Sequence, residues 1–251
     1  MNKWIAFTGI SKGIGLKLSK VYKDKGYKIL NIGRHPSSVQ DNYIFWDLAK
    51  DPSSETLDEL RSFFSKNSPS KLLNCAGVLG PSEEDYLNLD EKLYYKKYGE
   101  AFSVNFLSQV RLCKLYISSV KRENLKKKPI IMHLSSGAAI NPEKYFGLDA
   151  YALSKSALLY WFKNQASFYA NSFYFLSIAP GVIRTGMVEK ILNLKKEYFP
   201  AYDKFKNIEK TNAFKEIDLA CHSLFRVLNS PEFIEKYNGI FLDLRKTNLY
   251  S

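Results

Sequence analysis

The chain has 251 residues and 45% hydrophobic content, enough for a sizeable core, and its 37 lysines and arginines against 25 acids give a net charge of +12. The basic residues are scattered, with one dense cluster at Lys121-Arg122 and Lys126-Lys127-Lys128. This is the pattern of a solvated face and argues against a nucleic-acid partner, while no apolar run approaches the roughly 20 residues of a membrane span. Cys75, Cys113 and Cys221, like His35, His133 and His222, stand apart without metal-ligand spacing, so no metal is expected. Sparse, odd cysteines and no apolar leader after Met1-Asn2-Lys3 predict a cytoplasmic protein.

In chain order, Trp4–Thr8 reads as a strand, and Thr8-Gly9-Ile10-Ser11-Lys12-Gly13-Ile14-Gly15 as a glycine turn opening a helix to Lys25. Glycines in such a turn let backbone approach a pyrophosphate, and the helix N-terminus offers free N–H groups and a positive dipole end. Gly9, Ser11, Lys12, Gly13, Ile14 and Gly15 are therefore candidate cofactor contacts. A second strand, Lys28–Ile32, ends in Gly33-Arg34-His35. An acid at that place bonds the ribose hydroxyls of NAD; here Arg34 stands ready for a 2′-phosphate, with Lys12 as a second cation, which predicts NADP(H).

Tyr43–Asp47 reads as the third strand, Ser54–Asn67 as a helix and Lys71–Asn74 as the fourth strand, leading into Asn74-Cys75-Ala76-Gly77. A long helix over Phe102–Arg122 carries Asn105. Strand Ile130–Ser135 ends at Ser135-Ser136, and a helix over Ala150–Asn171 carries Tyr151 and Lys155 one turn apart. Strand Tyr174–Ala179 leads into Pro180-Gly181-Val182-Ile183-Arg184-Thr185. The stretch 187–212 lacks this rhythm and reads as a substrate lid, before a helix over Glu216–Leu228 and a last strand, Gly239–Leu244. Short apolar runs without alternation are strands buried on both faces, and their alternation with helices predicts an α/β fold. The expected architecture is one Rossmann-type domain over 1–251, a doubly wound parallel sheet of about seven strands with helices on both faces. Ligands of such sheets sit beyond the strands' carboxyl ends.

Tyr-x-x-x-Lys alone says little: with 17 tyrosines and 30 lysines (37 basic residues less seven arginines), about two matches are expected by chance, and Tyr202/Lys206 is the second. The ordered set around Tyr151 carries the meaning. By these motifs the chain resembles the short-chain dehydrogenase/reductases from Thr8 to about Leu244. The glycine turn matches their phosphate loop, and Asp47-Leu48 their adenine contact. Asn74-Cys75-Ala76-Gly77 matches their Asn-Asn-Ala-Gly motif with cysteine at its second position. Pro180, Gly181, Ile183 and Thr185 match the segment beside the nicotinamide and pyrophosphate.

The resemblance implies that Asn105, Ser136, Tyr151 and Lys155 are catalytic. Tyr151 is then the general acid of carbonyl reduction, with Lys155 drawing its pKa down and bonding the ribose. Ser136 would bond the carbonyl oxygen, and Asn105 would hold a relay water. Asn74, Ala76 and Gly77 would line the cofactor with Tyr151 and Lys155. Ser136 lies about two residues further from Tyr151 than in many relatives, so Ile140–Lys144 is expected to bulge into the substrate mouth; alternation along the strand favours Ser136 over Ser135.

The Asp-containing end, Gly239 to Arg245, looks like that of the sepiapterin-reductase and benzil-reductase group. The implied substrate is a small ketone or vicinal diketone. A 3-oxoacyl carrier-protein thioester is the alternative, and a non-catalytic NADPH sensor the rival of another class. By resemblance the long helices would pair copies into a homodimer or homotetramer.

Overall fold

Seven short strands pair in parallel into one sheet of order β3-β2-β1-β4-β5-β6-β7, described for residues 3–248 of a computed structural model. Met1 and Asn2, used in the leader reading, lie outside the described residues. The elements are β1 (Trp4–Thr8), α1 (Gly13–Asp24), β2 (Lys28–Gly33), β3 (Asn42–Phe45), α2 (Ser54–Asn67), β4 (Lys71–Asn74), α3 (Glu83–Asn88) and α4 (Glu91–Phe102). A π-helical turn, Ser103–Leu107, joins α4 to α5 (Ser108–Ser119). Then come β5 (Ile130–Leu134), α6 (Asp149–Phe168), β6 (Tyr174–Ala179), α7 (Gly186–Leu192), α8 (Tyr202–Lys210), α9 (Ile217–Val227), α10 (Pro231–Lys236) and β7 (Phe241–Asp243). The expected doubly wound parallel sheet of seven strands is what forms, with strand ends within two residues of those read from the sequence.

Side-chain alternation along each strand divides the core. Trp4 and Ala6 of β1 face the layer formed by Leu60, Phe63 and Phe64 of α2, Leu112 of α5 and Phe162 of α6. Ile5 and Phe7 face the other layer, with Leu18 and Tyr22 of α1, Leu224 and Val227 of α9 and Ile234 of α10. Burying each of these large apolar side chains contributes about 1.5–3 kcal/mol, so both sheet faces must be covered.

The sequence reading missed α3 and most of α4. Helix α3 starts at a reciprocal Ser82/Asp85 cap and buries no residue; α4, capped by Asp90, buries only Tyr94 and Ala101. Helices held by caps, with almost no apolar stripe, leave little hydrophobic period to read. The stretch 187–212 is also helical, as α7 and α8 around a short 3-10 turn at Lys196–Tyr198. Val188, Ile191, Leu192, Phe199 and Phe205 build a third packed cluster there, which Tyr151 joins from α6.

Candidate active site

The chain runs outward from β1 to β3, returns to β4 and runs outward again to β7, so the strand order reverses between β1 and β4. That switch point opens a crevice at the carboxyl ends of the strands. Gly9 lies in its floor with φ +72; a Cβ there would sit 2.5 Å from the Ala76 backbone nitrogen and 2.8 Å from the Cys75 carbonyl carbon. A Cβ on Gly15 would collide with the Gly9 carbonyl oxygen. Here glycine is required because two backbones touch. Thr8 Oγ1 accepts a hydrogen bond from the Ala76 N–H (3.2 Å), tying the glycine turn to the end of β4.

Helix α1 begins after Lys12 with no side-chain cap bond and no acid in its first turn, which favours an anion at that end. Thr185 comes across from the far side, its Cγ2 3.9 Å from where a Gly13 Cβ would be, and Ser11, Lys12 and Arg34 are exposed along the rim. Arg34 forms no ion pair among the described residues. Asp47 accepts from the Ala49 N–H (3.2 Å), and Leu48, buried, accepts from Ser108 through its carbonyl (2.8 Å). Asn74 turns its side chain inward to Cys113 Sγ (3.3 Å), leaving its backbone at the crevice. Ile183 is buried, and Pro180 and Gly181 (φ +91) lead the chain from β6 over the opening beside Arg245.

Asn105, fully buried, sits in the π-helical turn, where the shifted ladder aims its side chain at the loop after β4. It accepts from Val78 N–H (2.9 Å) and donates to Val78 O (2.8 Å) and Ser154 Oγ (3.0 Å). Lys155 Nζ donates to Leu134 O (2.8 Å) and lies 5.9 Å from the Tyr151 ring centre. A Cβ on Gly77 would touch both Asn105 Oδ1 (3.4 Å) and Lys155 Nζ (3.5 Å), so Gly77 keeps the space between them open.

Burial pushes the Lys155 ammonium down to about 8, and the nearby Cys75 opposes this. Burial pushes the Tyr151 phenol up to about 12, with the Ser136 hydroxyl pulling it down and Tyr145 adding to the rise. The expected lowering of Tyr151 by Lys155 is therefore not found: burial raises the phenol, and the ammonium is engaged on the Leu134 carbonyl. Ser135 Oγ is buried without a partner among the described residues, and Ser136 is the serine felt by Tyr151.

The structure thus brings Asn105, Ser136, Tyr151 and Lys155 to one end of the sheet, beside the glycine cradle. Three contributors went unread. Thr8 holds Ala76; Gln109, four residues after Asn105 and on its face, donates to Ala76 O (3.0 Å) and Val104 O (3.1 Å); Ser154 relays Asn105 to the Tyr151 carbonyl (2.9 Å). The i+4 spacing of Gln109 was a usable signal. Among the described residues no cluster of three His, Cys, Asp or Glu stands together, and no helix is long and apolar enough to cross a membrane.

A family profile described as Enoyl-(Acyl carrier protein) reductase matches residues 53–230. A benzil reductase ((S)-benzoin forming) of Bacillus subtilis is 24% identical over 259 residues, spanning 95% of this chain and 97% of the relative. A benzil reductase ((S)-benzoin forming) of Saccharomyces cerevisiae is 30% identical over 206 residues, 76% of this chain and 75% of the relative. A short-chain dehydrogenase/reductase crystal structure from the same yeast superposes with TM-score 0.78 at 21% identity, covering 98% of each chain. With the profile spanning most of the chain and the motifs in one crevice, the protein belongs to the short-chain dehydrogenase/reductase family of oxidoreductases, near the benzil reductases.

Proposed function

We propose that this chain reduces small carbonyl compounds, ketones or vicinal diketones, with NADPH. The observation that carries the reading is the meeting of Ser136, Tyr151, Lys155 and Asn105 beside a cradle that any Cβ at Gly9 or Gly15 would fill. When bound, the reduced dinucleotide supplies a hydride. The α1 N-terminus, Gly9 and Gly13 hold its pyrophosphate, Thr185 closes over it, and the backbone from Asn74 to Gly77 lines the ribose. Exposed Arg34, with Lys12, meets a 2′-phosphate, and Asp47 and Leu48 flank the adenine.

Tyr151 then protonates the carbonyl oxygen; at about 12 it is fully protonated at neutral pH, as an acid must be. Ser136 donates to the same oxygen where charge develops. Lys155, charged below about 8, stabilises the phenolate left behind, and Asn105 fixes the Val78 loop beside it. The α7–α8 cover acts as the substrate lid, its packing on Tyr151 supporting that role. Exposed Leu107, Leu153, Tyr160 and Phe168 on the π-turn and α6 support pairing of copies into a homodimer or homotetramer; the three free cysteines support a reducing, cytoplasmic setting.

NADPH oxidation with purified protein tests this against vicinal diketones, quinones, a pterin ketone and an acetoacetyl thioester. Tyr151→Phe is expected to keep NADPH binding and to lower kcat by about 10³-fold or more; full activity in the variant would remove Tyr151 as the acid, whereas wild-type NADPH binding with no turnover of the panel would favour a non-catalytic NADPH sensor. Wild-type reduction should be flat below about pH 8 and decline above it as Lys155 loses its proton. The carrier named in the matching profile's description and the net charge of +12 favour a second reading, reduction of the 3-oxo group of an acyl carrier-protein thioester; turnover confined to the acetoacetyl thioester would select it.

A further inference from the structure

Between Ser136 and Tyr151 the chain makes a second short 3-10 turn, Pro142–Tyr145, started by a proline at its first position. The turn delivers Tyr145. The phenol oxygen lies 3.3 Å from where a Cβ on Gly137 would stand, next in sequence to Ser136. Glycine at 137 therefore leaves room for that hydroxyl. The ring packs with Phe199 at 6.5 Å between centroids and joins the cluster of Leu79, Ala138 and Tyr151.

Hydroxyls around the site are mostly committed. Thr8 Oγ1 accepts from Ala76, Ser154 Oγ donates to Tyr151 O, and Ser156 Oγ donates to Ala139 O and Ala152 O (3.0 Å each). The Tyr145 hydroxyl makes no hydrogen bond to any described residue, although its ring is half-buried. Burial raises its pKa, with Arg245 lowering and Asp243 raising it, so it remains a proton donor at neutral pH. The hydroxyl is not sealed from solvent, so it stays open to a ligand oxygen at the site mouth.

We propose that Tyr145 is a specificity-determining residue that donates a hydrogen bond to a second oxygen, carried on the carbon next to the carbonyl under reduction. Ser136 and Tyr151 hold the first oxygen. Tyr145 also lies within electrostatic reach of the Tyr151 phenol, so both hydroxyls belong to the same mouth. The site then favours vicinal diketones and 2-alkoxy ketones over plain ketones. The inference rests on the carbonyl-reductase reading and narrows its substrate class.

The test compares kcat/KM for 1-phenyl-1,2-propanedione, 2-methoxy-1-phenylpropan-1-one and propiophenone in wild type and Tyr145→Phe, with NADPH. The methoxy ketone carries the second acceptor without a diketone's electrophilicity. Tyr145→Phe keeps the ring on Phe199 and is expected to cost about tenfold on the first two substrates and less than about twofold on propiophenone. Gly137→Ala, which crowds the hydroxyl without removing it, should shift selectivity the same way and provides a second route if the first variant folds poorly. Equal losses on all three substrates, or an unchanged diketone rate, would overturn the inference while leaving the reductase intact. Wild-type inactivity on all three would remove the reading beneath it, a distinguishable result.

Discussion

The cofactor side of the crevice is built from backbone, and the substrate side from side chains. On the first, Gly9, Gly15, Ala76 and the start of α1 approach so closely that a single Cβ does not fit. On the second, α7, α8 and the Pro142–Tyr145 turn rest on a small aromatic cluster of Phe199, Phe205, Tyr145 and Tyr151. Touching backbones tolerate one residue type, whereas aromatic packing admits many solutions of similar volume. The first side is therefore suited to an unchanging ligand and the second to substrates that differ between relatives.

Substitutions at the two sides should separate along this line. The largest effect is expected at Gly9→Ala, where a positive φ and backbone contact combine; we expect a loss of about 3 kcal/mol or more in denaturant unfolding, with dinucleotide binding abolished. A fully stable variant that binds NADPH would break the comparison. Next, Phe199→Ala removes a side chain with no exposed surface and should cost about 3 kcal/mol, felt locally. Hydrogen exchange should quicken over residues 186–210 and the substrate KM should rise, while protection in β1 and α1 and the NADPH Kd stay unchanged. Uniform loss of protection would show that the cluster is no separate unit. The smallest effect is expected at Arg34→Ser, which should raise the NADPH Kd about tenfold and leave that for NADH unchanged; equal change in both would remove the 2′-phosphate role.

This division also explains what the sequence disclosed. The glycine turn, the strands and the order of Asn105, Ser136, Tyr151 and Lys155 were legible because backbone approach and helix spacing restrict residue choice locally. The position of α4 was not, since Tyr94 and Ala101 alone mark its buried side. Nor was the fold of 187–212, whose buried Val188, Ile191, Phe199 and Phe205 read as apolar noise until a partner surface exists. Tyr145 left only the trace of a spacing two residues too long. The Tyr151 pKa was misread because helix spacing specifies which groups share a face but not how much water each loses.

The contact between Thr8 and Ala76 spans 68 residues of chain, and every pairing in the sheet is parallel, needing a crossover. The glycine turn is local, but the cradle closes only when the end of β4 meets it. A chain emerging from the ribosome cannot form the pyrophosphate site until β4 has docked beside β1, and the π-turn that locks Val78 follows later still. Parallel, non-local pairing of this kind is slow. A dinucleotide that binds only the docked form would act on this chain as a late-stage folding ligand, drawing the last step toward completion by mass action.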